Sequence, residues 1–205
     1  METSILDHFC APLCEIVCSS HRDHGDCEIN GADFITWLEH SNLFVVPLDA
    51  EGHWFRYHHL FQQLLQNQLE NSVRPEAISA LHTRASTWFA ENGLIHEAVR
   101  HSLSTDNADR AVQLVEQNRH AMLDNDKWHV VDKWLSLFPE DVVQRRPELL
   151  MARAWGLYHR FAIAALPSVI DAVQSLVGDV STDSTRAIAR RWVIWYDMAN
   201  PMWSS

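Results

Sequence analysis

The fold is decided by residues 43–69, LFVVPLDAEGHWFRYHHLFQQLLQNQL. This stretch opens with the β-forming run LFVVPL, continues with the turn-forming residues DAEG, and then extends again as HWFRY. Two such runs around a turn that contains glycine predict a β-hairpin. Pro47 must then lie where the ladder of hydrogen bonds requires no N–H.

A helical period follows the hairpin from residue 58 to residue 69. Its apolar residues form one stripe: Leu60, Phe61, Leu64, Leu65 and Leu69. Three shorter helices are predicted upstream. The first is capped by Ser4, the second carries Pro12 in its first turn, and the third starts near Ala32 after a polar loop at residues 19–30. Three helices and a hairpin in this order are the outline of a winged helix.

Only helices are predicted downstream of residues 70–74, the best candidate linker. Gly93 is the natural stop of the helix that Pro75 opens. Later helices are predicted at residues 95–103, 108–123, 128–137, 147–158 and 162–177. If they pair as hairpins, the pairs begin at residues 75, 108 and 147, with spacings of 33 and 39 residues. These spacings are close to the ~34 residues of a tetratricopeptide unit and the ~40 residues of other helix-pair repeats.

The predicted fold class is therefore mainly α, with two domains. Residues 1–70 form a winged-helix-like regulatory domain with a small β-hairpin, and residues 75–205 form an incomplete tetratricopeptide-like helical-repeat sensor domain. Five large apolar residues crowd the last stretch: Trp192, Trp195, Met198, Met202 and Trp203. Because no polar capping helix follows them, we expect the repeat array to be truncated.

Composition and motifs argue against several classes of function. The formal net charge of −11 disfavours direct binding to a phosphate backbone. The sequence has neither an apolar run of the ~18 residues that a membrane span needs nor a signal peptide, so we expect a cytoplasmic protein that does not contact membranes. No Ser-His-Asp set or carboxylate pair stands out, and we expect no catalytic residues.

Four segments carry a family resemblance. They are residues 43–69, the opening SILDHFCAPLCEIV, and two later stretches, LHTRASTWFAENGLIHEAVRHSL and WLSLFPEDVVQRRPELLMARAWGL. In this order they resemble MalT-like, ATP-dependent LuxR-type transcription regulators of the STAND class, over about residues 3 to 160. Gln62, Gln63 and Gln66 depart from the residues that the family often has there.

The resemblance implies a modular parent protein with an ATP- or ADP-binding domain, a winged helix, a tetratricopeptide-like sensor and a C-terminal helix-turn-helix. This chain corresponds to the middle part. It has no G-x-x-x-x-G-K-[ST] motif and so no phosphate-cradling loop of that kind. The implied partners are the parent's nucleotide-binding domain and an inducer or protein on the helical repeat, with self-association as a further option. A free-standing helical-repeat scaffold is the alternative function.

The resemblance also implies a nucleotide sensor. In STAND proteins a winged-helix histidine reaches the nucleotide, and Tyr57-His58-His59-Leu60 is similar to that motif. This points to His58, with His59 as the alternative and Arg56 as a weaker contributor of charge. A ring N–H at a helix N-terminus can donate to a phosphate oxygen. The competing interpretation is a structural histidine that caps or packs at a helix start.

Cysteine spacing suggests a second kind of site. Cys10, Cys14 and Cys18, with His21 and His24 nearby, invite a zinc interpretation. The thiols would align only on one unbroken helix, and Pro12 argues against such a helix. We therefore expect reduced, buried thiols and no metal. The predicted wing has one basic residue, Arg56, beside two acids, which makes a poor phosphate clamp.

Overall fold

The computed structural model describes residues 1–18, 30–41, 43–105 and 108–179. It divides into two compact units, Met1–Ala108 and Asp109–Ser205. The described part of the chain is mainly helical with one two-stranded antiparallel sheet, which confirms the predicted fold class. None of its helices is both long and apolar enough to cross a membrane.

The first unit opens with a short 3-10 helix, Glu2–Ile5, followed by α1 (Ala11–Cys18) and α2 (Gly31–His40). The Asn30 side chain caps α2 by accepting hydrogen bonds from two backbone N–H groups. The predicted Ser4 cap is wrong. Ser4 lies inside the 3-10 helix, which begins one residue after Met1, and its hydroxyl is buried without a hydrogen-bond partner among the described residues.

α1 and α2 pack against each other at Gly31. A Cβ on this glycine would lie 2.1 Å from the carbonyl oxygen of Ala11, so only glycine allows the two backbones to approach so closely. On α1, Leu13 and Val17 are fully buried, but Ile16 is exposed. Of the polar segment predicted as a loop, residues 19–29 lie outside the described part of the chain.

The predicted hairpin is present as β1 (Val45–Pro47) and β2 (Phe55–Tyr57). Pro47 faces Phe55 across the pair. The N–H and C=O of Phe55 bond instead to Phe9, at 2.9 and 2.8 Å, so the missing N–H of Pro47 leaves no group unsatisfied. The prediction for Pro47 is confirmed. Phe9 thereby joins the N-terminal segment to the hairpin, and its ring packs 4.7 Å from that of Tyr57.

α3 (His59–Ser72) continues farther than expected. The predicted linker at residues 70–74 is therefore mostly helical, and only Val73 and Arg74 separate α3 from α4. Gln62 and Gln66 tie α3 to the N-terminal segment. The Gln62 amide donates to the carbonyls of Ser4 and Leu6 at 3.1 and 2.9 Å. The Gln66 amide donates to Ser4 at 2.9 Å.

α4 (Pro75–Glu91) and α5 (Ile95–Leu103) pack as a helical hairpin. Gly93 has φ +75° and ends α4, as predicted. Two buried hydroxyls join the helices, because Ser86 donates to the carbonyl of Ala98 and contacts the Ser102 hydroxyl, both at 2.8 Å. This hairpin belongs to the first compact unit, together with the winged helix. The domain division predicted at residues 70–75 stays a prediction.

The second unit contains α6 from Asp109 onward (Ala108–Leu123), α7 (Trp128–Leu135), α8 (Glu140–Arg145), α9 (Pro147–His159) and α10 (Leu166–Asp179). α8 was not predicted. α10 begins after a 3-10 turn, Ile163–Ala165, and therefore later than expected. α9 and α10 pack through a buried cluster: Ala154, Leu157, Leu166 and Ile170. The apolar residues expected at 190–205, including Trp192 and Trp203, lie outside the described residues.

Two histidines, one half-buried and one buried, form a polar contact inside the α4–α5 hairpin. The Nδ1 atoms of His82 and His101 are 2.8 Å apart, so one ring must donate and the other accept. His101 stacks on Phe89 at 5.4 Å and is almost fully buried. Burial, together with nearby His82, Arg100 and His8, lowers the pKa of His101 from 6.5 to about 3. Both rings are therefore neutral in the folded chain near pH 7, because burial also lowers the pKa of His82.

We predict that Gln62→Ala lowers the free energy of unfolding by about 1–3 kcal/mol, because two carbonyl groups lose their common donor. Urea denaturation monitored by circular dichroism measures the change. Gln63→Ala is the matched control, since Gln63 is the exposed neighbour on the same helix. Equal effects of the two substitutions would contradict the role of Gln62.

We also predict that acid destabilises the protein through His101. Because its folded pKa lies below the unfolded value, the unfolded chain binds more protons between about pH 6.5 and pH 3. The contribution of neutral His101 to the free energy of unfolding is thus fully present above pH 6.5. It is lost as the pH falls, by up to about 1.4 kcal/mol per pH unit. Urea unfolding at several pH values should show that the free energy of unfolding depends less steeply on pH in His101→Gln than in the wild type. The control is His53→Gln, at an exposed position. An unchanged slope in His101→Gln contradicts the prediction.

Candidate functional site

His58 lies at the junction between β2 and α3. It is the N-cap residue of α3, with extended backbone, and its N–H donates to the carbonyl of Phe44 at 2.7 Å. The His58 ring makes no capping hydrogen bond. His59 is the first helical residue, its ring centroid lies 4.6 Å from that of His58, and both side chains are exposed. The two exposed rings therefore lie beside the first N–H groups of a helix.

Apolar side chains surround this junction, and they are exposed too. Leu60 is 63% exposed and Leu64 is 62% exposed, so the predicted stripe on α3 is only partly a core stripe. Only Leu69 of that stripe is fully buried. Phe44 is 65% exposed, and its ring lies 5.9 Å from that of Phe61. We call the surface formed by Phe44, His58, His59, Leu60 and Leu64 the α3 face.

Phe44 is unusual in its backbone. Its φ of +46° places a bulky residue in the left-handed region, where a side chain costs energy. The same residue accepts the hydrogen bond from the N–H of His58. One hydrogen bond thus joins the strained residue, Phe44, to the candidate sensor, His58. Backbone strain of this kind clusters at functional sites.

Arg56 lies on the outer side of the hairpin. In β2 the flanking residues Phe55 and Tyr57 are buried and Arg56 is exposed. Because side chains alternate along extended backbone, Arg56 and His58 lie on the same side of the strand. At the turn, the Asp49 carboxylate accepts hydrogen bonds from the N–H groups of His53 and Trp54, at 2.7 and 3.2 Å. The tip of the wing is therefore occupied by an acid.

Cys10, Cys14 and Cys18 lie on α1 or just before it. Pro12 does not break the helix, because α1 runs over Ala11–Cys18 and the N–H of Cys14 bonds to the carbonyl of Cys10. Cys10 precedes the first residue of α1, so the helix contains Cys14 and Cys18 but not Cys10. Cys10 and Cys14 are buried free thiols. Burial raises the pKa of Cys14, and burial with the Glu2 carboxylate raises the pKa of Cys18 to about 12.

Thiols of this kind are poorly reactive, because the nucleophile and metal ligand is the thiolate. Within the described residues no group of three His, Cys, Asp or Glu side chains is placed to hold a metal ion. His21 and His24 lie outside that part of the chain. The expectation that the cysteines hold no metal stays a prediction.

Sequence reasoning missed the role of Gln62 and Gln66. These residues were noted only as departures from a family pattern, although their spacing of four places them on one face of a helix. It also missed the pairing of His82 with His101, which lie 19 positions apart on different helices. A contact of this kind between two helices leaves no periodic signal in the sequence.

Comparison with known proteins identifies a family model and several relatives to which this chain is similar. Residues 1–78 match the family model of the MalT winged helix domain. Serine/threonine-protein kinase PknK of Mycobacterium tuberculosis is 36% identical over 127 residues, covering 62% of this chain and 11% of the kinase. The HTH-type transcriptional regulator MalT of Vibrio campbellii is 25% identical over 155 residues, covering 76% of this chain and 16% of the regulator.

MalT of Klebsiella pneumoniae is 26% identical over 137 residues, covering 66% of this chain and 15% of the regulator. The chain thus spans less than a fifth of the length of these relatives. No solved structure matches it. The family match covers the three N-terminal helical segments, the hairpin and α3, and the similarity to the regulators continues beyond them. Residues 1–78 therefore carry a MalT-like winged helix domain, and similarity to MalT transcriptional regulators extends over most of the chain.

Proposed function

We propose that this chain is the regulatory middle of an ATP-dependent transcription regulator of the LuxR type and STAND class. In this role the winged helix registers the nucleotide state, and the helical part binds an inducer or a partner protein. The observation that carries the proposal is the α3 face, where two exposed histidines lie at a helix N-terminus beside exposed leucines. This surface has the chemistry to cover a bound nucleotide and the domain that holds it.

The apolar half of the α3 face supports a docked domain. Burying a leucine side chain stabilises a protein by roughly 1.5–3 kcal/mol, and Leu60 and Leu64 forgo this gain in the chain alone. Contiguous exposed apolar side chains on a soluble protein mark an interaction surface. The parent's nucleotide-binding domain is the occupant that we propose.

The polar half supports nucleotide recognition. An imidazole N–H of His58 can donate to a phosphate oxygen of ADP, and the positive end of the α3 dipole favours the same anion. Arg56, on the same side of the strand, adds positive charge. His59 is the alternative donor, because the two rings are adjacent. ATP or ADP is thus a cofactor of the parent, not of this segment alone.

The relatives support a regulatory and non-catalytic role. One relative is named a serine/threonine-protein kinase and others are named transcriptional regulators, so their outputs differ. The segment that they share is therefore more naturally a control element than the source of either output. An acid closes the tip of the wing, and the net charge is −11, so we propose no direct DNA binding by this segment.

The helical part is the proposed receptor for the signal. The α4–α5 and α9–α10 hairpins have the packed pairwise arrangement from which tetratricopeptide-like arrays are built. We propose that further repeats of the parent complete this array, and that it binds a small inducer or a protein in the cytoplasm.

We predict that the double substitution Leu60→Gln/Leu64→Gln leaves the melting temperature of the isolated chain nearly unchanged, because both side chains are already in water. Leu69→Gln, at a buried position of the same helix, should lower stability by about 2–5 kcal/mol. Thermal unfolding of the three proteins tests this. In the parent, the double variant should weaken contact between winged helix and nucleotide-binding domain. If the isolated chain instead forms dimers that the double variant abolishes, the scaffold function is favoured.

We predict that His58→Ala in the full-length parent weakens ADP retention and raises activity without inducer. A charge-assisted hydrogen bond contributes roughly 1.5–3 kcal/mol, so the ratio of closed to open states should change about ten- to a hundred-fold. Nucleotide dissociation kinetics and reporter transcription measure the two effects. His59→Ala is the matched control and should do less, and the isolated chain should show no ATPase turnover. Unaltered ADP affinity and basal activity in both variants would end the sensor assignment.

A further inference from the structure

We propose that α4 and α5 are a fixed arm of the winged helix domain, so that the winged helix and this helical hairpin move as one body. The family model ends at residue 78, inside α4, and the predicted linker lay at residues 70–74. The contacts described below cross both positions. The inference goes beyond the proposed function and holds whether or not His58 recognises a nucleotide.

Three sets of side-chain contacts, which we call ties, link the winged helix to the α4–α5 hairpin. The first tie joins α4 to the end of α1. The Arg84 guanidinium donates two hydrogen bonds to the carbonyl of Val17, from Nε at 3.0 Å and from Nη2 at 2.6 Å. Val17 is the penultimate residue of α1, where carbonyl groups have no partner within the helix. A half-buried arginine there satisfies the carbonyl and places positive charge at the negative end of the helix dipole.

The second tie is aromatic. The His8 ring lies between Trp54, at 4.9 Å, and Phe89, at 5.7 Å. Trp54, next to β2, also meets Trp88 edge-on at 6.1 Å. Aromatic pairs at these separations have preferred geometries as well as buried area, so they set orientation in addition to attraction. The N-terminal segment and the hairpin are thereby both packed against α4.

The third tie reaches α5. Arg100 forms an ion pair with Asp7, which follows the N-terminal 3-10 helix. Because both side chains are partly exposed, this pair contributes little to stability and mainly selects one orientation. The hairpin itself is internally fixed by the Ser86 and Ser102 hydroxyls and by the His82–His101 contact.

The three ties start from separate places on the winged helix: the end of α1, the segment around Asp7 and His8, and the residue before β2. They end on both helices of the hairpin. A rotation of α4–α5 about Val73 and Arg74 would break at least two of them at once. A displacement of the winged helix is therefore transmitted to the end of α5 without a joint at residues 73–74.

Hydrogen–deuterium exchange of the full chain tests this inference. If the hairpin is a fixed arm, backbone amides at residues 85–89 and 99–102 should share the opening equilibrium of those at residues 14–17, within about three-fold. In Arg84→Ala/Trp88→Ala the α4–α5 amides should exchange at least about ten-fold faster than the α1 amides, because two ties are lost. Thr83→Ala, an exposed neighbour on α4, is the matched control and should leave the shared opening intact.

Two results would overturn the inference. One is a wild-type chain in which α4–α5 amides exchange more than about ten-fold faster than those of α1, which indicates an independent hairpin. The other is a folded double variant with wild-type protection in both regions. If the double variant does not fold, the wild-type comparison still decides, and Arg84→Lys provides the milder perturbation, since lysine keeps the charge but loses the two-pronged donor.

Discussion

Two backbone hydrogen bonds between Phe9 and Phe55 hold the winged helix of this protein together. They join the N-terminal segment to the hairpin through an isolated antiparallel bridge and place Phe9, Phe55 and Tyr57 in one buried aromatic group. Without this pairing a two-stranded hairpin of three-residue strands would be marginal in water. The pairing also explains why Pro47 is tolerated on β1, because the N–H and C=O of its partner residue are used on the other side.

The position of α3 follows from the same segment. Once Phe9 is paired, the preceding backbone around Ser4 and Leu6 lies against α3, where the amides of Gln62 and Gln66 satisfy its carbonyls. This arrangement turns one face of α3 inward at Leu69 and leaves Leu60 and Leu64 outside. The two leucines therefore stay exposed on the same helix that begins with the two exposed histidines. The exposure of the candidate site therefore follows from the hydrogen bonds that Gln62 and Gln66 make on the opposite side of α3.

The α4–α5 hairpin shows how a polar interior can fix a helix pair. Its buried hydroxyls and neutral histidines satisfy one another, and satisfied polar groups of this kind specify one packing arrangement more strictly than apolar contacts do. One nitrogen remains an exception, because Nε2 of His101 is buried without a partner among the described residues. Such an arrangement depends on the rings staying neutral. The ties to α1 and to the N-terminal segment then extend the winged helix into the first helical hairpin.

The sequence by itself determined the elements whose causes are local. Period, proline and glycine placed the hairpin, the stop of α4 at Gly93 and the bounds of α5 and α6, because backbone preference and side-chain spacing act within a few residues. They also placed His58 at the start of a helix. Tertiary structure alone decided which side of α3 is buried, that residues 70–72 continue a helix, that His82 meets His101, and that Arg84 reaches Val17. Each of these depends on groups far apart in the chain, and such contacts leave no local pattern because only the packed fold brings their partners together.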